Sequence, residues 1–215
     1  MENTMISVKN VVKRFGDETI LRGITQDFEK GKIYGIVGNN GAGKTVFFKC
    51  ILGFLMPEEG EVYVDGKRIG KDVDFPESVG IIIEAPGFLP NMSGYKNLKL
   101  LADLNGRIAA GGIKETIERV GLDPNSKKHV GKYSLGMKHR LGVAQAIMED
   151  PDLLILDEPF NGLDKHGVAE MRELFKGIRE KGKTILLASH NAADIEILCD
   201  EVYEMDAGLL SAKGV

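Results

Sequence analysis

The stretch Gly38-Asn39-Asn40-Gly41-Ala42-Gly43-Lys44-Thr45 constrains this chain more than any other part of its 215 residues. It fits the pattern G-x-x-x-x-G-K-[ST]. An apolar run, Ile33 to Val37, precedes it. The largely apolar Val46 to Leu55 follows and is expected to be a helix ended by Pro57 and Gly60. A glycine loop between strand and helix turns successive backbone N–H groups inward, toward an anion. The helix, starting near Gly43, aims the positive end of its dipole at the same point. Lys44 adds a mobile charge suited to β- and γ-phosphates, and the Thr45 hydroxyl is a hard oxygen of the kind Mg²⁺ accepts. The chain is therefore expected to bind a polyphosphate. Its 27 glycines, almost twice the usual share of about 7%, fit tight turns and close backbone approach to a ligand.

A second feature belongs to the same chemistry. Leu153-Leu154-Ile155-Leu156 is apolar throughout, as a parallel strand buried on both faces should be, and it runs straight into Asp157-Glu158. Next to a phosphate loop, a carboxylate at a strand end can hold the metal shell and its neighbour can polarise an attacking water. Asp157 is assigned to the metal and Glu158 to the general base. A helix-capping acidic pair is the plain alternative for these two residues.

The rest of the chain fits an α/β protein. Ser7–Lys13 and Thr19–Phe28 read as strands, and Glu61–Val64 with Asp65-Gly66 as one arm and the tip of a hairpin. Segments around Asn97–Leu104 and Ile113–Val120 read as helices separated by glycines. Val168, Met171, Leu174, Phe175 and Ile178 recur at helical spacing before the apolar strand Thr184–Ala188. Strands alternating with helices imply a parallel sheet. With 43% hydrophobic residues, global disorder is excluded. No apolar stretch approaches the roughly 18–20 residues that span a bilayer, and MENTMISVKN lacks a signal-peptide pattern. A soluble, intracellular chain is expected. The net charge of −4 argues mildly against nucleic acid as a partner. Cys50 and Cys199 lie far apart in apolar runs and are expected to be buried thiols.

With Tyr133-Ser134-Leu135-Gly136-Met137 and His190 added, these motifs resemble the nucleotide-binding subunit of an ABC (ATP-binding cassette) transporter, from about Ser7 to Gly208. The resemblance implies a RecA-like P-loop NTPase core with an N-terminal antiparallel β-subdomain and an inserted helical subdomain. The chain would be one domain, with residues 1–85 and 148–215 forming the core and β-subdomain and 86–147 the helical insert. It implies Mg²⁺ and ATP as cofactors, hydrolysis of ATP, and a separate integral membrane permease as partner. The chain would then be cytoplasmic and peripheral on the membrane's inner face. Two cassettes, identical or homologous, would close head to tail over ATP.

In such a dimer Ser134 and Gly136 would contact the γ-phosphate of ATP bound to the partner. Ser134 as a helix N-cap, with Gly136 admitting backbone N–H groups, supplies an anion site physically. By the same resemblance Phe15 stacks on adenine, Asp164 lies in the loop crossing the interface, and His190 contacts the γ-phosphate. A core role for Phe15 and a capping role for Asp164 are the simpler readings. His129, His139 and His166 have no comparable placement and are expected to be solvated.

Two positions depart from the wider family. Leu135 and Met137 replace glycine and glutamine of the signature, and Glu84 replaces the glutamine of the loop entering the helical insert. Both departures resemble exporters of bacitracin and lantibiotic-type peptides. Glu84 is expected either to enter the metal shell or to swing away from the site. The rival readings are a soluble ABC ATPase acting on ribosomes or DNA, and a regulatory module that binds ATP with little hydrolysis. A single cassette without sustained heptads disfavours the former; Glu158 with His190 weighs against the latter, and the altered signature with Glu84 weighs for it.

Overall fold

The computed structural model describes residues 3–84, 87–106, 108–190 and 192–213. The first strands, β1 (Thr4–Phe15) and β2 (Glu18–Glu29), pair antiparallel. The third, β3 (Ile33–Val37), is buried along its whole length and leads into α1 (Lys44–Ile51). Next come β4 (Glu59–Val64) and β5 (Lys67–Arg68), joined through Asp65 and Gly66. These two residues have φ of 47° and 77°, the conformation of a tight hairpin turn.

The short β6 (Val79–Ile82) precedes three helices, α2 (Gly94–Asn105), α3 (Ala110–Arg119) and α4 (Leu135–Ile147). The chain then alternates through β7 (Leu153–Asp157), α5 (Lys165–Glu180), β8 (Thr184–Ser189) and α6 (Ala192–Leu198). It closes with β9 (Glu201–Asp206) and β10 (Leu209–Ala212).

A four-stranded antiparallel sheet has the order β2-β1-β4-β5, and a six-stranded sheet the order β10-β9-β3-β8-β7-β6. In the larger sheet β9, β3, β8, β7 and β6 are parallel and β10 turns back antiparallel. This is the expected α/β core with its antiparallel β-sheet, and the three helices fall between β6 and β7. The expected boundary at residues 85 and 86 lies outside the described residues.

Every residue of β3, β7 and β8 is buried. Each large apolar side chain so placed contributes about 1.5–3 kcal/mol, so these three strands anchor the sheet. One apolar cluster packs α2, α3, α4 and α5 on it, and a second joins it to α1 and the antiparallel sheet. The candidate phosphate loop, with Asp157, Glu158 and His190, sits where β3, β7 and β8 run out, the usual place for a ligand in an open α/β sheet.

Two expectations need correction. Helix α1 stops at Ile51, not Leu55, because Gly53 takes φ 79° and leaves no room for a side chain. A Cβ there would lie 2.2 Å from the Asp74 carbonyl oxygen. His139 is buried, not solvated, because α4 is buried around much of its circumference, with Val143 one turn along from the histidine and Leu141 on the far side. Its Nδ1 meets no hydrogen-bond partner among the described residues, and burial pushes its pKa down. His129 and His166 are exposed as expected.

Candidate functional site

The glycines of the phosphate loop are there for space and for φ. Gly38 approaches β9 so closely that a Cβ would lie 2.3 Å from the Met205 carbonyl oxygen. Gly41 and Gly43 take φ of 83° and 110°, which L side chains rarely adopt. Gly43 is the N-cap of α1, and the Phe47 N–H donates to its carbonyl at 2.8 Å. Asn39 and Ala42 close the loop through a backbone hydrogen bond of 3.1 Å. The Ala42 carbonyl in turn accepts from the Gly208 N–H at 3.2 Å, so the turn between β9 and β10 braces the loop. Asn40 lies within this wrapped segment and is exposed.

Lys44 is only 6% exposed, and its ammonium donates to the carbonyls of Gly38 at 2.6 Å and Asn39 at 3.2 Å. The positive charge is thus fixed inside the loop it serves. Beside it the Thr45 hydroxyl donates to Asp157 Oδ2 at 2.6 Å, joining the start of α1 to the end of β7. Burial raises the Asp157 carboxyl above its ordinary pKa. The Thr45 hydrogen bond opposes that rise, the charge of Glu158 adds to it, Lys44 opposes it, and Glu84 adds again. A hydroxyl and a carboxylate held this close form a hard-oxygen pair that fits Mg²⁺. Among the described residues no three His, Cys, Asp or Glu cluster as a metal cage. An ion here would complete its shell with phosphate oxygens and water.

Glu158 follows at once with φ 52°, left-handed for a non-glycine residue, and its N–H donates to the Ala188 carbonyl at 2.9 Å. Its carboxylate then meets His190 twice. The His190 backbone N–H donates to Oε1 at 3.0 Å, and the ring Nδ1 lies 2.9 Å from Oε2. A carboxylate accepts only, so Nδ1 carries the proton. A cavity of about 590 Å³ opens beside this pair, bounded also by Asn161, Lys165 and Arg172.

The signature residues lie elsewhere. Ser134 caps α4, its Oγ accepting from the Met137 N–H at 3.2 Å. Gly136 rests on the 161–164 loop, where a Cβ would come within 2.6 Å of the Gly162 carbonyl oxygen. Asp164 caps α5 through a 2.7 Å hydrogen bond from the Gly167 N–H.

The geometry has clear counterparts among known proteins. The family model described as "ABC transporter" matches residues 21–161. The chain belongs to the ABC transporter family. It is 44% identical over 208 residues to the bacitracin transport ATP-binding protein BcrA of Enterococcus faecalis, covering 96% of this chain and 68% of that one. It is 36% identical over 197 residues to the lantibiotic transport ATP-binding protein SrtF of Streptococcus pyogenes, covering 91% and 84%. A solved structure described as the ATP-binding subunit of an ABC transporter superposes with a TM-score of 0.87 at 27% identity, covering 99% and 90%. The chain is an ATP-binding subunit of this family and hydrolyses ATP.

Within this ABC cassette, Lys44, Thr45 and Asp157 stand together, and so do Glu158 and His190. Two other candidates have partners of their own. Phe15 ends β1 with 49% of its surface exposed, which excludes the core role, and the Lys13 ammonium lies 5.4 Å from its ring centroid. Glu84 takes φ 60° just past β6, and its Oε1 accepts from Lys49 Nζ at 2.6 Å. The sequence reading overlooked Lys49, which lies thirty-five positions away from its partner. Its place near the end of α1, where a cation is favoured by the dipole, was the available signal.

Proposed function

We propose that this ABC cassette binds Mg²⁺ with ATP through Thr45 and Asp157 and drives a separate membrane permease that exports a peptide antibiotic or a related compound. The observation that carries the site reading is the 2.6 Å hydrogen bond from Thr45 to Asp157 beside the buried Lys44. Mg²⁺, when bound, would supply charge neutralisation between the phosphates.

The remaining roles belong to the chain itself. Backbone N–H groups of residues 38–45 cradle the phosphates, and Phe15 offers its exposed ring to adenine. Glu158 orients the attacking water and accepts its proton. His190 holds that carboxylate by its backbone N–H and ring Nδ1, and turns the other ring nitrogen toward the γ-phosphate. Glu84 would be a further residue holding the metal.

Ser134 and Gly136 complete the site of a second cassette. The N-terminus of α4 presents backbone N–H groups and a positive dipole end, which suits a phosphate but lies on the loop containing Gly162 and not on its own phosphate loop. Asp164 sits on that same loop, at the interface. The helical insert, residues 86–147, carries this second half-site. Among the described residues no helix is long and apolar enough to cross a membrane. On this reading a separate permease holds the cassette at the inner face of the membrane.

The likeness to bacitracin and lantibiotic transport proteins supports the substrate class. Deleting the gene in its host should lower the inhibitory concentration of such peptides, and the wild-type gene, but not a Glu158→Gln copy, should restore it. Unchanged sensitivity to bacitracin and to lantibiotics would overturn the substrate proposal.

A further inference from the structure

Lys49 and Glu84 join two parts of the cassette that nucleotide would draw together. Lys49 stands in the last turn of α1, the helix whose first residues build the phosphate loop. Its own backbone is pinned, because its carbonyl accepts from the N–H groups of Phe54 at 2.9 Å and Leu55 at 3.1 Å. Glu84 is the looser partner. It follows β6 in a left-handed conformation, its side chain is 67% exposed, and its carboxylate reaches back to the Lys49 ammonium at 2.6 Å. Strand β6 pairs parallel with β7, Ile82 opposite Leu156, so Glu84 leaves the sheet at the same end as Asp157. Its charge therefore stands at the edge where a metal and a γ-phosphate would sit.

We propose that Lys49 is a positioning residue that holds the Glu84 carboxylate on the phosphate-loop helix and so sets how strongly ATP binding depends on a divalent cation. The inference rests on the reading of Glu84 as a metal-shell residue. An ion pair this exposed is worth little in water, so a bound divalent cation can outbid the ammonium for the carboxylate. While the pair persists, the lysine offsets a negative charge that would otherwise repel the triphosphate. Lys49 thus weakens metal recruitment and eases binding of metal-free ATP.

The test measures ATP affinity by calorimetry in EDTA and in Mg²⁺, and takes the ratio of the two dissociation constants. In Lys49→Met the uncompensated carboxylate should weaken metal-free binding and favour the metal-bound form, raising the ratio about 2- to 5-fold, the scale of an exposed ion pair. Lys49→Arg should stay near wild type. Glu84→Gln should lower the ratio, and the Lys49→Met/Glu84→Gln double variant should match Glu84→Gln alone. Thermal melts confirm that each variant is folded, and Lys49→Gln serves if the Met variant is not. An unchanged ratio in Lys49→Met, with the expected drop in Glu84→Gln, would overturn the role of Lys49 and leave Glu84 as a metal residue. An unchanged ratio in Glu84→Gln would overturn the Glu84 reading itself. A double variant that departs from Glu84→Gln would show Lys49 acting through some other group.

Discussion

His190 grips Glu158 at both carboxylate oxygens, by its backbone N–H at 3.0 Å and its ring Nδ1 at 2.9 Å. The two residues directly follow adjacent parallel strands, β7 and β8, and the Glu158 N–H is tied to the Ala188 carbonyl two residues before the histidine. The left-handed backbone at Glu158 costs about 1–2 kcal/mol. The three hydrogen bonds offset that cost and aim the carboxylate away from the sheet.

As the proposed general base, Glu158 would act mainly in the transition state. Glu158→Gln should lower turnover about 10²-fold or more while leaving ATP affinity close to wild type. His190→Ala should also slow turnover, because the carboxylate loses its ring contact. Steady-state hydrolysis with calorimetric ATP binding checks both. Wild-type turnover in Glu158→Gln would remove Glu158 as the base.

Lys44→Ala should act on binding. The buried ammonium is the loop's one charged side chain, and hydrogen bonds to charged groups are worth about 1.5–3 kcal/mol. ATP affinity should fall by about 10- to 100-fold, the same energy expressed as an equilibrium. Equal affinity in the two proteins, with Mg²⁺ present, would refute the phosphate-loop assignment.

Asp157 should reveal a stability cost. Burial raises its folded pKa above the ordinary value of 3.8. A raised carboxyl contributes stability below the unfolded pKa and loses it as pH rises through the folded one. Above its folded pKa the nucleotide-free cassette therefore carries an unfavourable ionised group. Asp157→Asn removes that charge and keeps an oxygen to accept from Thr45. Its melting temperature at pH 7 should exceed wild type, by about 2–4 °C per kcal/mol gained, and the difference should vanish below pH 3.8. The same variant should lose the extra stabilisation that Mg²⁺ gives with ATP. A lower melting point at pH 7 would contradict the sign.

How much of this was legible in the sequence follows from how far apart the cooperating residues lie. The phosphate loop is eight consecutive residues, so its chemistry and the flanking strand and helix could be read together. Leu153–Glu158 was equally plain, since a strand buried on both faces is apolar throughout. Strands β6, β9 and β10 were not read, because Glu201–Asp206 mixes charged and apolar residues without a clean period and Val79–Ile82 is too short. Contacts between distant segments left no local trace. Gly136 against Gly162, Gly38 against Met205, and Lys49 with Glu84 depend on how the elements pack. The end of α1 was misjudged because Gly53 acts through its closeness to Asp74, a neighbour only in the fold. His139 was misplaced because α4 buries much of its circumference, which a two-faced helical pattern does not anticipate.

The most discriminating prediction concerns Ser134, which should serve the ATP of a second cassette. In one chain its Oγ caps α4, and the adjoining Gly136 is packed on Gly162, so the α4 N-terminus is tied to the 161–164 loop. A Ser134→Arg chain keeps its phosphate loop but places a bulky cation where a phosphate should dock. A Lys44→Ala chain keeps its α4 N-terminus but loses the phosphate charge. Neither should form an ATP-dependent dimer alone. Mixed, the two should share one complete site, since the intact loop of the first meets the intact Ser134 of the second and both defects fall in the other site. Adding Glu158→Gln to both chains blocks hydrolysis and lets the closed dimer accumulate. Size-exclusion chromatography with light scattering should then show dimer in the mixture with ATP and monomer in each chain alone. Monomer in the mixture, with both chains folded, would mean that Ser134 does not complete a partner's site.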